Sequence, residues 1–174
     1  MFGPGYLEEN FRTVRKNTVL VAEDIPAGKY TFTAAPGVKS VGQMLAHVAV
    51  SPRWQMALHS EGVTAVDFPM FAARLAKGQA EEQALQSKDQ ILAALKDGGE
   101  EFAAFLAGLS APTLAQTISF PPPIQPAVKT RMEMLMSVKE HEMHHRAQLM
   151  LMQRMLGIVP HLTRQREASV RARG

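Results

Sequence analysis

The stretch Val138–Pro160, VKEHEMHHRAQLMLMQRMLGIVP, places three of the chain's six histidines within five residues. Leu135, Val138, His141, His145, Leu149 and Met152 recur at spacings of three and four, the period of an amphipathic helix with one inward face. The helix is expected to start near Pro126 or Ala127 and run to Leu156, with Gly157 as its C-cap and Pro160 as a stop. Its many methionines read as core filling rather than copper ligation.

Three further helices follow from the same periodicity. Leu7, Phe11, Val14, Val21 and Ile25 mark one from Tyr6 to Ile25. Ser40, with Gln43 three residues on, forms a capping-box start for a second, running to about Ser60. Pro52 inside it predicts a kink or break near Ser51. Ser87 and Gln90 repeat the capping signal for a third, whose apolar stripe is Ile91, Leu92, Leu95, Phe102, Phe105, Leu106 and Leu109. Gly98 and Gly99 each cost about 1 kcal/mol relative to Ala in a helix, so a bend or split is expected there. The segments YTFT and TISF read as locally extended, PMFAARLAKG as a short helix on a long connection, and the end from about Leu162 as a further short helix.

With no sustained alternating pattern, these elements predict an all-α fold: a four-helix bundle whose long connections imply a nonstandard up-down topology. At 174 residues and 46% hydrophobic, the chain suits one domain over 1–160, followed by a basic C-terminal helix or tail over 161–174.

Composition narrows the function. The chain has no cysteine, which excludes a disulfide scaffold, a thiolate zinc knot, an iron–sulfur cluster and a cysteine nucleophile. The net charge of +3 is concentrated in the tail, where Arg164, Arg166, Arg171 and Arg173 face only Glu167. With one Trp and two Tyr there is no stacking platform, and no nucleic-acid partner is expected. The start, MFGPGYLEENFRTV, lacks a signal-peptide pattern, and no apolar run approaches a membrane span. A soluble cytoplasmic protein is expected.

His141 and His145, four residues apart, share a helix face with Cβ atoms roughly 5–6 Å apart and can converge on one ion. His144 points elsewhere. Two unshared buried imidazoles would each need hydrogen-bond partners, and a common metal removes that cost. A third ligand must come from a facing helix, and His47, set among Val41, Met44, Leu45 and Val48, is the strongest candidate. His59 lies beyond Pro52, and His161 follows the helix-ending Gly157 and Pro160, so an exposed role is expected for it. Three imidazoles suit a divalent ion, Zn or Ni foremost, with Fe and Co also compatible, and leave a coordination position open.

His141, Glu142 and His145 also spell the H-E-x-x-H of zinc proteases. That reading needs Glu142 beside the metal-bound water and a downstream ligand, but Arg-Ala-Gln-Leu-Met follows His145. Glu142 instead faces roughly 100 degrees away from His141 and is expected to pair with Arg146, Lys139 or a neighbouring helix, or to orient a ligand.

SVGQMLAHVA at 40–49 and HEMHHRAQLMLMQRMLGIVP at 141–160 resemble the DinB/YfiT-like superfamily, in whose terminal helix a histidine is followed four residues later by His-Arg-Gly-Gln. Ala147 stands where glycine is usual. The resemblance implies a DinB-like four-helix bundle, commonly a homodimer, with a three-histidine metal site carried over to His47, His141 and His145. It also implies either a thiol-cofactor-dependent transferase or a small-molecule hydrolase, with a low-molecular-weight thiol as co-substrate in the first case. A noncatalytic metal-binding regulatory or stress-response bundle and a nonmetal structural protein are the competing classes. The roles of Glu142, His144, Arg146 and Gln148 stay open, and the connections at 62–86 and 110–126 are expected to line the open side of the site.

Overall fold

A computed structural model describes residues 3–173. Four long helices make the core: α1 (Pro4–Asp24), α2 (Val41–Ser60), α4 (Lys88–Ala107) and α6 (Arg131–Met155). To these are added α3 (Phe68–Ala84), α5 (Ala111–Ala115) and α7 (His161–Arg171). The fold is all-α around a helical core, but with seven α-helices among the described residues it goes beyond the four-helix bundle of nonstandard topology expected. α1 packs mainly against α4 and α6, and α2 mainly against α4 and then equally against α3 and α6, with little contact between α1 and α2. The first two core helices therefore stand diagonally across the bundle rather than side by side.

The core helices α2, α4 and α6 each begin at a side-chain cap. Ser40 with Gln43 and Ser87 with Gln90 form reciprocal capping boxes at α2 and α4, as expected. At α6 the cap is Thr130 with Glu133, so the helix starts at Arg131 and not near Pro126. The residues before it are drawn off by pairing: β2 (Val128–Thr130) runs antiparallel to β1 (Thr117–Ser119), with Ile118 opposite Lys129. TISF is thus extended as expected, while YTFT is not. A 3-10 turn at Ala27–Lys29 leads into Tyr30, whose hydroxyl donates to the Ala22 carbonyl at 2.9 Å. At its other end α6 closes on Gly157 at φ 77°. Ile158 N–H donates to the Gln153 carbonyl and Gly157 N–H to that of Arg154, the paired bonds of a Schellman cap.

Pro52 and the Gly98–Gly99 pair break neither of their helices. Proline supplies no N–H to the carbonyl four residues back. That carbonyl, on Val48, accepts instead from Arg15 Nη2 at 3.2 Å and Ser51 Oγ at 3.4 Å. A Cβ on Gly99 would stand 2.8 Å from Arg15 Cγ, and one on Gly98 would stand 3.7 Å from the Ala49 carbonyl. The glycines make room for α1 and α2 to pack on α4.

The main apolar cluster joins Val21, Ile25, Leu45, Val48, Leu95, Leu149 and Met152, and a second joins Phe11, Phe102, Leu106, Leu135 and Val138. Helix α3 is 17 residues long rather than short, and none of its residues is buried. It packs chiefly on α2. α7 contacts α1, and His161 at its start is buried, 4% exposed, with Nε2–H donating to Asn17 Oδ1 at 3.1 Å. The exposed position expected for it is wrong: the chain turns back at Pro160 and lays α7 against the bundle.

Candidate metal centre

Seven residues into α2, His47 reaches towards His141 and His145, which stand one turn apart on α6. The three are half-buried and their ligand atoms lie within 4.8 Å of one another. His141 Nε2 is 3.1 Å from His47 Nε2 and 3.1 Å from His145 Nε2. Two nitrogens bound to one tetrahedral ion at zinc–imidazole length stand about 3.3 Å apart, so the spacing is compatible with a shared ion.

The opposite ring edges are already committed. His47 Nδ1–H donates to Glu82 Oε1 at 2.7 Å, and His145 Nδ1–H donates to Gln148 Oε1 at 2.8 Å. Ser51 Oγ stands 3.5 Å from His141 Nδ1. A proton fixed on Nδ1 leaves the lone pair on Nε2, which is the outer-shell arrangement that orients metal-binding histidines. Burial first, and the neighbouring imidazoles next, push the His141 pKa down to about 4, and burial pulls His145 down as well. At neutral pH both rings are uncharged, each keeping one N–H and one free lone pair. The cluster is compatible with divalent metal coordination, and its donor set does not choose between Zn, Ni, Fe and Co.

Each histidine named from the sequence has a definite place. His47, His141 and His145 come together. His144 is exposed and accepts from Gln148 Nε2 at 3.3 Å, so Gln148 links it to His145 without bringing it to the cluster. His59 is buried elsewhere: its Nδ1 accepts from Arg131 Nη1 at 2.9 Å and its Nε2–H donates to Gln55 at 3.2 Å. Glu142 is 1% exposed, and both of its oxygens accept from Arg15 of α1, at 2.9–3.1 Å. Its partner is on a neighbouring helix, while Arg146 donates to the Val14 carbonyl at 3.1 Å. The carboxylate that the protease pattern assigns to water is spent on a buried ion pair.

Glu82 is the residue that sequence reasoning missed. It lies near the end of α3, accepts from His47 and also meets Lys39 Nζ at 3.4 Å. Nothing in the run AEEQ distinguishes it from its neighbour Glu81; only the packing of α3 on α2 does. Beside the cluster opens a cavity of about 500 Å³ between α2, α3 and α6, bordered by His47, His141, Ser51 and Ser137. The connection at 62–86 contributes to it through α3, whereas no residue of 110–126 lines it.

Comparison with known proteins agrees with this architecture. The family model of the DinB superfamily matches residues 10–149. The chain therefore belongs to the DinB superfamily. Among solved structures, the DinB-like protein YjoA from Bacillus subtilis is similar over 87% of this chain and 91% of its own, with a TM-score of 0.65 and 20% identity, a likeness of fold. The comparison with curated proteins found no match. Among the described residues no helix is long and apolar enough to cross a membrane.

Proposed function

We propose that His47, His141 and His145 bind one divalent ion through Nε2 and that the protein is a metal-dependent enzyme acting on a small molecule in the adjoining cavity. The observation that carries this reading is the convergence of three Nε2 atoms with Nδ1 of His47 and His145 already committed as donors. An ion held by three neutral ligands would supply Lewis acidity, stabilising a thiolate or lowering the pKa of a water. Of the two chemistries, transfer to a small-molecule thiol suits the surroundings better than hydrolysis. Glu82 is engaged by His47, Glu142 by Arg15 and Glu81 by Arg53 at 2.8 Å, and hydrolysis requires a group to shuttle protons. Thiol transfer needs a deprotonated sulfur held beside an electrophile. The cavity bordering the ligands favours an enzyme over a noncatalytic metal-binding bundle. A cytoplasmic setting and a homodimer complete the proposal, and sedimentation tests the second.

Elemental analysis of protein purified without chelating resin should give one metal per chain, with His47→Ala, His141→Ala and His145→Ala each abolishing it. Stoichiometric metal in all three variants would sink the ligand set. Turnover of the loaded protein should depend on an added thiol. Thiol-independent hydrolysis would reverse the order of the two chemistries, and inactivity in both screens would return the site to a noncatalytic role.

A further inference from the structure

The cavity has a chemical character of its own. Trp54, Phe71, Leu75 and Val138 give it apolar walls. Phe71, Arg74, Leu75 and Gly78 repeat at helical spacing along α3, so that helix turns an amphipathic face to the cavity. Yet none of its residues is buried; Phe71 is 43% and Leu75 52% exposed. Apolar surface directed into a concave site and left uncovered is the character of a ligand pocket rather than a finished core.

The charges lining it are unequal. Arg53, Arg74 and Lys77 face Glu81 and Glu82. Arg53 is neutralised by Glu81 at 2.8 Å, and Glu82 is held by His47 and Lys39. That leaves Lys77 without an ion-pair partner among the described residues, and, three residues before it on α3, Arg74, whose partner Glu61 does not line the cavity. Arg74 is anchored through Nη2 to Glu61, while its Nε–H is shielded from solvent and has no acceptor among the described residues. A buried donor without an acceptor is costly, so the Arg74 head gains by turning towards an anion in the cavity, where its guanidinium can make a charge-assisted bond. Lys77 makes no ion pair among the described residues and adds a second positive charge to the same wall.

We propose that this cavity binds an amphipathic organic anion, with an aliphatic or aromatic body against Trp54, Phe71 and Leu75 and a carboxylate-type group read by Arg74 and Lys77. Calling this ligand the substrate rests on the metal-enzyme reading; its binding does not. Such a ligand would cover the exposed face of α3 and lie beside His47 and His141.

Trp54 is the single tryptophan of the chain, so its emission reports on the cavity directly. Decanoate, decan-1-ol and decyltrimethylammonium share a chain length and differ in head charge. Each would be titrated into chelator-treated and zinc-loaded protein while Trp54 fluorescence is followed. Decanoate should bind about tenfold or more tightly than decan-1-ol, and the cation most weakly, in both forms of the protein. Arg74→Gln and Lys77→Gln, both on a helix with no buried residue, should each weaken decanoate about tenfold and leave decan-1-ol unchanged. Equal affinity for the three probes would overturn the proposal, as would decanoate binding indifferent to both substitutions. An anion preference seen only with zinc would assign recognition to the ion and overturn it too. Emission that varies with protein concentration and ignores decanoate would give the cavity to a second copy of the chain. Decanoate selectivity in a protein that retains no metal would leave this proposal standing while the metal-enzyme reading fell.

Discussion

Arg15 and Glu142 carry opposite charges into the middle of the bundle, and every nitrogen of the guanidinium donates at least one hydrogen bond. Besides the two carboxylate oxygens it reaches the Leu95 carbonyl at 2.9 Å and the Val48 carbonyl at 3.2 Å, so one side chain ties α1 to α2, α4 and α6. Removing one partner of a buried pair strands the other charge, at a cost of about 3–5 kcal/mol. Glu142→Ala should therefore lower stability by about that much in urea unfolding, while Glu142→Leu combined with Arg15→Met should recover much of the loss. Metal content should survive Glu142→Gln, which a catalytic protease glutamate would also allow, but so should turnover, which it would not. Glu82 acts on the site itself. Glu82→Ala should weaken metal binding by about 10–100-fold, measured by competition with a chromophoric chelator, and Glu82→Gln should restore most of it because an amide oxygen still accepts from His47 Nδ1.

At the scale of elements, adjacent glycines on α4 have opposite expected responses. Alanine gains about 1 kcal/mol of helix propensity at either position. At Gly98 the added methyl meets the Ala49 carbonyl at an ordinary 3.7 Å, so Gly98→Ala should raise the unfolding midpoint. At Gly99 it would stand 2.8 Å from the Cγ of Arg15, whose head is fixed by its hydrogen bonds. Overpacking of that kind costs about 1–3 kcal/mol, and Gly99→Ala should lower the midpoint. Helix α3 presents a different case. It buries no residue and leans chiefly on α2, so its amides should exchange with solvent faster than those of α2 and α4, the order expected of elements with few buried contacts. Because Glu82 belongs to α3, metal binding should slow exchange near that end of the helix.

For the whole molecule, buried histidines make stability depend on pH. His59 receives a hydrogen bond from Arg131 and has no room for a second proton. Burial first, then the guanidinium, pushes its pKa down to about 4. An unfolded histidine titrates near 6.5, so between these values the unfolded chain binds more protons than the folded one. Stability is then complete above about pH 6.5 and falls as pH drops towards 4. With about 1.4 kcal/mol per pH unit of displacement, His59 alone should cost on the order of 2 kcal/mol between pH 7 and about pH 4.5. His141, displaced in the same direction to about 4, adds to the loss in metal-free protein. Urea unfolding at the two pH values checks this, and His59→Gln should flatten the part of the dependence due to that ring.

The periodicity of Leu135 to Met152, the capping pairs Ser40–Gln43 and Ser87–Gln90, and the left-handed Gly157 are local features, and local sterics and hydrogen bonding suffice to make helices of those segments. The four-residue interval between His141 and His145 likewise places both rings on one face whatever surrounds them. Tertiary structure decided the rest. Thr130 became the start of α6 because β1 captured the residues before it, Pro52 kept its helix because Arg15 took up the freed carbonyl, and His161 was buried because α7 folds back on α1. Glu82 became the partner of His47 from 35 residues away, and the cavity exists only where α3 lies across α2 and α6. Spacing along one helix fixes which side chains share a face, but which distant groups meet that face is settled by packing between helices, whose partners no local pattern encodes.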